Sequence, residues 1–137
     1  MNEELIWQAS LLQKESQELE NNLDFVSREL SELEQFKENI RYLDDSNNKE
    51  IIANLGKGIH VKASLQDKKL FVEVGSGVVV KKTPEETLQV IELQIKNLQE
   101  AKFQLIHQLE HYNDAFARIL QEIEKQRQKN SKEKDTK

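Results

Sequence analysis

The chain has 137 residues and contains no cysteine, one proline and four glycines. Without cysteine it cannot form disulfides or use thiol chemistry. The proline and all four glycines lie between Gly56 and Pro84, so both ends are free of helix breakers. No run of about 18 apolar residues occurs, which excludes a hydrophobic transmembrane helix. The polar start, with Glu3 and Glu4, does not fit a signal peptide.

The chain is also poor in apolar residues, which make up 36%, and rich in charged ones, which make up 33%. These proportions are unusual for a compact globular domain and favour an elongated helical pair, which buries only one stripe of each helix. The net charge of −5 argues against general nucleic-acid binding. The exception is a basic segment at 125–137, which we interpret as a frayed, solvated end.

Two apolar stripes of equal length lie at the two ends of the chain. Their positions alternate in steps of three and four residues, which is typical of a coiled coil. Nine of eleven positions are apolar in the first stripe and ten of eleven in the second. We call these 22 positions the seam. The first stripe is Leu5, Ala9, Leu12, Ser16, Leu19, Leu23, Val26, Leu30, Leu33, Lys37 and Ile40. The second is Leu88, Ile91, Ile95, Leu98, Lys102, Leu105, Leu109, Tyr112, Phe116, Ile119 and Ile123.

The two stripes match when the chain folds back on itself, so that residues whose numbers sum to about 128 lie level. Leu12 then meets Phe116, and Ser16 meets Tyr112. Lys37 and Lys102 are the charged exceptions, and a lysine stem can cover apolar surface while its ammonium group reaches water. We therefore predict an antiparallel coiled coil within one chain.

The sequence also predicts where the helices begin and end. The first helix is expected over residues 2–43, because turn-forming residues follow at 44–48. The second is expected over 84–128, since Thr83 can cap it, Pro84 suits its first position and Glu86 can complete a capping box. Residues 129–137 are expected to form a disordered tail, and residues 1–137 a single unit.

Residues 50–82 read as two β-hairpins, because apolar and polar residues alternate between turn signals at the glycines. So small a sheet is marginal alone and leaves open edges. We therefore expect it to pair with other subunits. The residues predicted to serve this assembly are Ile59, Val61, Leu70, Val72, Val74, Val78 and Val80.

Two stretches of this middle region resemble the alpha class of the prefoldin family. They are LGKGIHVKA at 55–63 and VEVGSGVVVKKT at 72–83. His60 and Val78-Val79 stand where tyrosine is common in the family, and Ala53-Asn54 replaces a usual proline. The resemblance implies a mostly helical α+β fold, in which a long antiparallel coiled-coil hairpin is joined by two β-hairpins that assemble with other subunits into a β-barrel.

The resemblance also implies a function. Prefoldins are ATP-independent cytoplasmic holdases that bind unfolded polypeptides and pass them to a group II chaperonin. The archaeal form contains two alpha-class and four beta-class subunits. A chain of this kind would be no enzyme and would need no cofactor and no metal, and its partners would include neither nucleic acid nor membrane.

Family members bind unfolded chains at the distal ends of the helices, and the sequence supports this independently. Ile6, Trp7, Leu11 and Leu120 lie near those ends but off the seam, and apolar residues placed there suggest a contact surface. The residues predicted to bind unfolded protein are Leu5, Ile6, Trp7, Leu11, Leu12, Phe116, Ile119, Leu120 and Ile123.

A structural or filament-forming coiled-coil scaffold is the alternative function, although a scaffold has no need of apolar residues off the seam. His107 to His111 also matches the zinc-peptidase pattern His-x-x-Glu-His. We interpret that motif as a solvated helix face, because Leu109 lies in the seam and only a helix and a tail follow.

Overall fold

The computed structural model describes residues 2–45 and 49–135 and contains two long helices and four strands. The elements are α1 (Asn2–Asp45), β1 (Glu50–Gly56), β2 (Ile59–Ser64), β3 (Leu70–Gly75), β4 (Val78–Lys82) and α2 (Pro84–Asp135). The predicted fold class, two long helices joined by two β-hairpins, is confirmed.

Both helices extend further than the sequence analysis predicted. α1 continues through Asp44 to Asp45, while positions 46–48 of the predicted turn lie outside the described residues. α2 continues past residue 128 to Asp135, across most of the segment predicted to be disordered. That segment contains lysine and glutamate and no glycine or proline, so nothing in it breaks a helix. Residues 136 and 137 of the predicted tail also lie outside the described residues.

The chain divides into two units. The first, the distal unit, comprises α1 up to Glu29 and α2 from Leu98 onwards. The second, the hairpin unit, comprises Leu30–Asn97 and contains all four strands. Each unit therefore contains part of both helices, as expected of a chain that folds back on itself.

Burial follows the predicted seam in each unit. Every seam residue is buried or half-buried. In the distal unit Ala9 and Ser16 are the buried seam residues. In the hairpin unit the buried seam residues are Leu30, Ile40, Ile91 and Ile95. The apolar stripes thus form the core, and that core is narrow.

Contacts across the seam agree with the predicted pairing of the helices. In the hairpin unit one carboxylate oxygen of Glu92 lies 3.7 Å from Lys37 Nζ and 3.6 Å from Arg41 Nη2. Glu92 follows Ile91, the residue predicted to lie opposite Lys37. A seam lysine is thereby neutralised by the facing helix, although an exposed ion pair of this kind adds at most about 1 kcal/mol.

The two hairpins have the same design. Each turn has two residues with positive φ, 51° at Lys57 and 78° at Gly58, and 49° at Ser76 and 75° at Gly77. This is the backbone of a type I′ turn, which accepts glycine readily at its second position. In each hairpin the pairing shifts by one residue just before the turn, which marks a β-bulge.

The start of α2 is capped as predicted. The backbone N–H of Glu86 donates to Thr83 Oγ1 at 3.1 Å. The backbone N–H and the hydroxyl of Thr87 both donate to the carbonyl oxygen of Thr83, at 3.1 and 2.9 Å. Pro84 is buried at the first helical position, where its missing N–H leaves no bond unmade.

Replacing Ile91 by alanine should destabilise the fold strongly, because Ile91 is only 4% exposed in the narrow core of the hairpin unit. We expect a loss of about 3 kcal/mol in the free energy of unfolding, measured by urea denaturation of the isolated chain. The matched control is Leu93→Ala on the same helix, where the side chain is 59% exposed. A similar loss from both variants would contradict the seam as the source of stability.

Candidate functional site

Four apolar side chains off the seam are exposed in the distal unit, and we call them the tip surface. Ile6, Trp7, Leu11 and Leu120 have 53%, 64%, 41% and 47% of their surface accessible. They lie near the start of α1 and in the C-terminal part of α2. A tryptophan and three aliphatic residues in contact with water are costly unless another molecule covers them at times.

The other five residues predicted to bind unfolded protein are placed differently. Leu5, Leu12, Phe116, Ile119 and Ile123 are half-buried seam residues. They already contribute to the contact between the two helices, so a second molecule can reach them fully only if the helices separate. The structure therefore divides the predicted binding residues into an exposed set and a set engaged in the fold.

Exposed aromatic side chains also occur in the distal unit away from the tip surface. Phe25 is 59% and Phe103 66% exposed. The ring of Phe103 lies 5.4 Å from that of His107, centroid to centroid. Neither phenylalanine is among the residues predicted to bind unfolded protein.

A second feature of the distal unit is an open cavity of about 600 Å³ lined by residues of both helices. His107 and His111 line it, as do Glu15 and Glu18 from α1. The His107 ring is exposed, and its Nδ1 lies 3.8 Å from a carboxylate oxygen of Glu110, one turn along the helix. Among residues 2–45 and 49–135, no three histidine or acidic side chains are arranged to hold a metal ion.

Tyr112 on α2 makes a polar contact with α1 in this region. It is a half-buried seam residue, and its hydroxyl donates a hydrogen bond to the Glu15 carboxylate on α1. That hydrogen bond, the negative charge of Glu15 and partial burial together raise the pKa of Tyr112 above its ordinary value of 10.0. Glu15 precedes Ser16, the residue predicted to face Tyr112, so this contact also agrees with the predicted pairing.

The residues predicted to serve assembly differ in how much of their surface is exposed. Leu70 and Val72 are half-buried and line a cavity of about 640 Å³ within the hairpin unit. The other five are exposed to water. They are Ile59 (60%), Val61 (46%), Val74 (56%), Val78 (54%) and Val80 (37%).

The cavity of the hairpin unit lies between the two helices and the strands β1 and β3. Ile40 and Ile91 come from the helices, Ile51 from β1, and Leu70 and Val72 from β3. Its surface is predominantly apolar, with polar groups such as Thr87 and Lys82 at intervals. The inward faces of both hairpins thus complete the core of their own chain, while the rest of their apolar surface stays open.

Sequence reasoning missed several exposed apolar residues of the hairpins. Ile52 and Leu55 are each 69% exposed, Phe71 is 72% exposed and Val79 is 55% exposed. A signal was available, because Ile51-Ile52 and Leu70-Phe71-Val72 are continuous apolar runs rather than alternating ones. A strand with apolar residues on both faces is typically covered on both sides.

Known proteins resemble this chain over most of its length. A family model described as prefoldin subunit matches residues 12–129. Prefoldin subunit alpha of Archaeoglobus fulgidus is 26% identical over 129 residues, which cover 93% of this chain and 94% of the relative. Prefoldin subunit alpha 1 of Thermococcus kodakarensis is 32% identical over 96 residues, which cover 69% of this chain and 66% of the relative.

The fold also resembles a solved structure. A cryo-EM structure of filamentous PFD from Methanocaldococcus jannaschii superposes with a TM-score of 0.68. The match covers 88% of this chain and 98% of that chain, at 18% sequence identity. The likeness therefore concerns the arrangement of helices and hairpins.

The contact between Tyr112 and Glu15 gives a pH-dependent prediction. In a Tyr42→Phe background Tyr112 is the only tyrosine, so ultraviolet absorption reports its ionisation alone. We expect a pKa above 10.0, and a lower value after Glu15→Gln, which removes the charge. A raised tyrosine pKa stabilises the fold below pH 10.0, and that contribution is lost as the pH rises through the folded-state pKa.

The control for this titration is Glu18→Gln, since Glu18 lines the same cavity but is not among the causes of the shift. Equal effects of the two substitutions would mean that Tyr112 responds to the general charge of α1 rather than to its hydrogen bond with Glu15.

Proposed function

We propose, because this chain belongs to the prefoldin subunit family, that it is the alpha-class subunit of an ATP-independent holdase. In this proposal the chain assembles with beta-class subunits, binds unfolded polypeptides at the tip surface and passes them to a group II chaperonin. A cytoplasmic location and a complex of two alpha-class and four beta-class subunits belong to the same proposal. Their support is the resemblance to archaeal alpha subunits.

The observation that carries the holdase function is the exposure of Ile6, Trp7, Leu11 and Leu120. An unfolded polypeptide exposes apolar side chains that its native state would bury. Contact with the tip surface removes apolar area of both molecules from water, which is favourable in proportion to that area and requires no particular sequence. Such a surface can bind different unfolded polypeptides that have no sequence motif in common.

The small size of the tip surface explains why several subunits would be needed. Four side chains on one chain can bind only weakly. When several arms hold one client, each further contact is made within the complex, and the combined affinity exceeds that of one arm by orders of magnitude. Weak individual contacts also allow a client to leave step by step, without ATP hydrolysis.

The hairpins support the assembly part of the proposal. Within the described residues β1 pairs only with β2, and β3 pairs only with β4. Each strand therefore retains an edge that can accept a strand of another subunit. The exposed Ile59, Val61 and Phe71 add apolar area beside those edges. This combination of open edges and apolar faces fits the barrel that the family resemblance implies.

Within residues 2–45 and 49–135, neither helix has a stretch of sufficient length and hydropathy to span a membrane. The proposed partners are proteins, namely other subunits, clients and the chaperonin.

Replacing the tip surface by glutamine should weaken client capture while keeping the helices intact, since glutamine is a good helix former. The variant carries Ile6→Gln, Trp7→Gln, Leu11→Gln and Leu120→Gln. Light scattering is followed as a denatured protein is diluted into the purified assembly without nucleotide. We expect half-suppression of aggregation to need at least about fivefold more assembly, which corresponds to about 1 kcal/mol of lost apolar contact.

A matched control carries Phe25→Gln and Phe103→Gln, which change exposed aromatic residues of the same unit away from the tip surface. If this control alone loses suppression, clients bind at the middle of the helices instead. If the unmodified assembly does not suppress aggregation at all, the alternative of a structural scaffold takes the place of the holdase.

A further inference from the structure

The connection between the two hairpins, Leu65–Lys69, makes a contact with each part of the structure that surrounds it. We call this segment the connector. One of its contacts goes to the chain before β1, one to the end of α1 and one to β4. All of these residues belong to the hairpin unit.

The contact with α1 places a positive charge at the C-terminal end of that helix, which has no basic residue in its last turn. α1 ends with Asp44 and Asp45. The C-terminal end of a helix carries partial negative charge and carbonyl groups without helical partners, so acidic residues there are unfavourable. The half-buried Lys68 donates a hydrogen bond from Nζ to the carbonyl oxygen of Asp44. The connector thus supplies the cation that α1 lacks.

The contact with the second hairpin is made by Asp67. Its Oδ2 lies 3.8 Å from Lys81 Nζ on β4, and its Oδ1 accepts a hydrogen bond from the backbone N–H of Lys69 at 3.0 Å. The same Lys81 ammonium lies 5.6 Å from the centre of the Phe71 ring on β3. Asp67 is therefore linked to both strands of the second hairpin through one lysine.

The contact with the first hairpin uses the backbone. The N–H of Leu65 donates to the carbonyl oxygen of Lys49 at 2.6 Å, one residue before β1 begins. This bond continues the pairing of β1 and β2 up to the connector, so the first hairpin ends where the contacts of Asp67 and Lys68 begin.

These contacts matter because the two hairpins are separate sheets. Within the described residues no strand pairing joins β1–β2 to β3–β4, so backbone hydrogen bonds between strands do not set the angle between the hairpins. The connector follows β2 directly, and its polar contacts attach it to the end of α1 through Lys68 and to β4 of the second hairpin through Asp67. Two hairpins that dock together on a neighbouring subunit bind more tightly if their mutual orientation is already fixed. Otherwise the conformational entropy lost in fixing that orientation reduces the affinity.

We propose that Lys68 and Asp67 are positioning residues for subunit assembly: they hold the two hairpins at the mutual orientation in which both dock on neighbouring subunits. This rests on the proposed assembly function. The two residues do not themselves contact the neighbouring subunit, and they act through Asp44 and Lys81. Arginine at position 68 preserves the charge and the donors, so Lys68→Arg should restore what Lys68→Gln removes.

The first test measures orientation in the isolated chain, without a partner. Spin labels are attached at Lys62→Cys on β2 and Val79→Cys on β4, and the chain has no other cysteine. Pulsed electron paramagnetic resonance gives the distribution of distances between the labels. We expect a distribution at least about twofold broader in the Lys68→Gln, Asp67→Asn variant, because its two polar restraints are lost. An unchanged distribution overturns the proposal.

The second test measures assembly with the beta-class subunit of the same organism by sedimentation velocity. We expect the double variant to assemble about fivefold more weakly than the unmodified chain, which is the effect of losing about one net hydrogen bond. The single variant Lys68→Arg, in which Asp67 is intact, should assemble as well as the unmodified chain. The matched control is Lys69→Gln, which removes the same charge one residue further on, from an exposed side chain. Equal weakening by Lys69→Gln and Lys68→Gln overturns the proposal.

The two tests also separate this inference from the function on which it rests. If the unmodified chain does not assemble with the beta-class subunit, the proposed function fails, and the label distances still decide whether the connector orients the hairpins. If the unmodified chain assembles and the double variant assembles equally well, the proposed function stands and the positioning role is wrong.

Discussion

The narrow apolar seam is the interaction on which the rest of this structure depends. Among the residues whose burial the structure describes, the buried alanine, leucine and isoleucine side chains all lie at seam positions: Ala9, Leu30, Ile40, Ile91 and Ile95. A stripe this narrow is enough to hold two helices side by side, because each helix needs to bury only one face. The remaining faces of both helices can therefore carry charged residues or residues that contact a partner.

A chain with so little buried apolar area is incomplete by itself. Its hairpins carry apolar residues on both faces, and the faces turned away from the helices remain in water, with Phe71 72% and Ile52 69% exposed. Single exposed apolar residues are common on proteins, but continuous apolar strands with open edges are a hazard unless another chain covers them. The small amount of buried apolar area, which suits two helices packed along one stripe, thus also favours association at the hairpins.

Much of this fold could be predicted from the sequence, because it is specified by local patterns. The steps of three and four residues placed every seam position correctly, and the Thr83-Pro84 pair marked the start of α2. What could not be predicted depends on side chains that are distant in sequence. Lys68 reaches Asp44 and Tyr112 reaches Glu15 only once the chain has folded, and no periodicity reports such pairs. The tip surface stands out in the sequence because its residues are apolar but lie off the seam. Whether they bind unfolded protein depends on partners that one chain does not contain.

The repeated turn of the hairpins has a consequence for the shape of any larger sheet. Each hairpin has a bulge one residue before a type I′ turn, at Asn54–Gly56 in the first and at Glu73–Gly75 in the second. A bulge bends its strand and increases the right-handed twist locally. Two hairpins with the same bulge at the same place therefore curl in the same sense, and a sheet assembled from many of them would accumulate curvature instead of growing flat. Curvature of one sign brings the first and last strands of a sheet towards each other, which limits the number of subunits that such an assembly can admit.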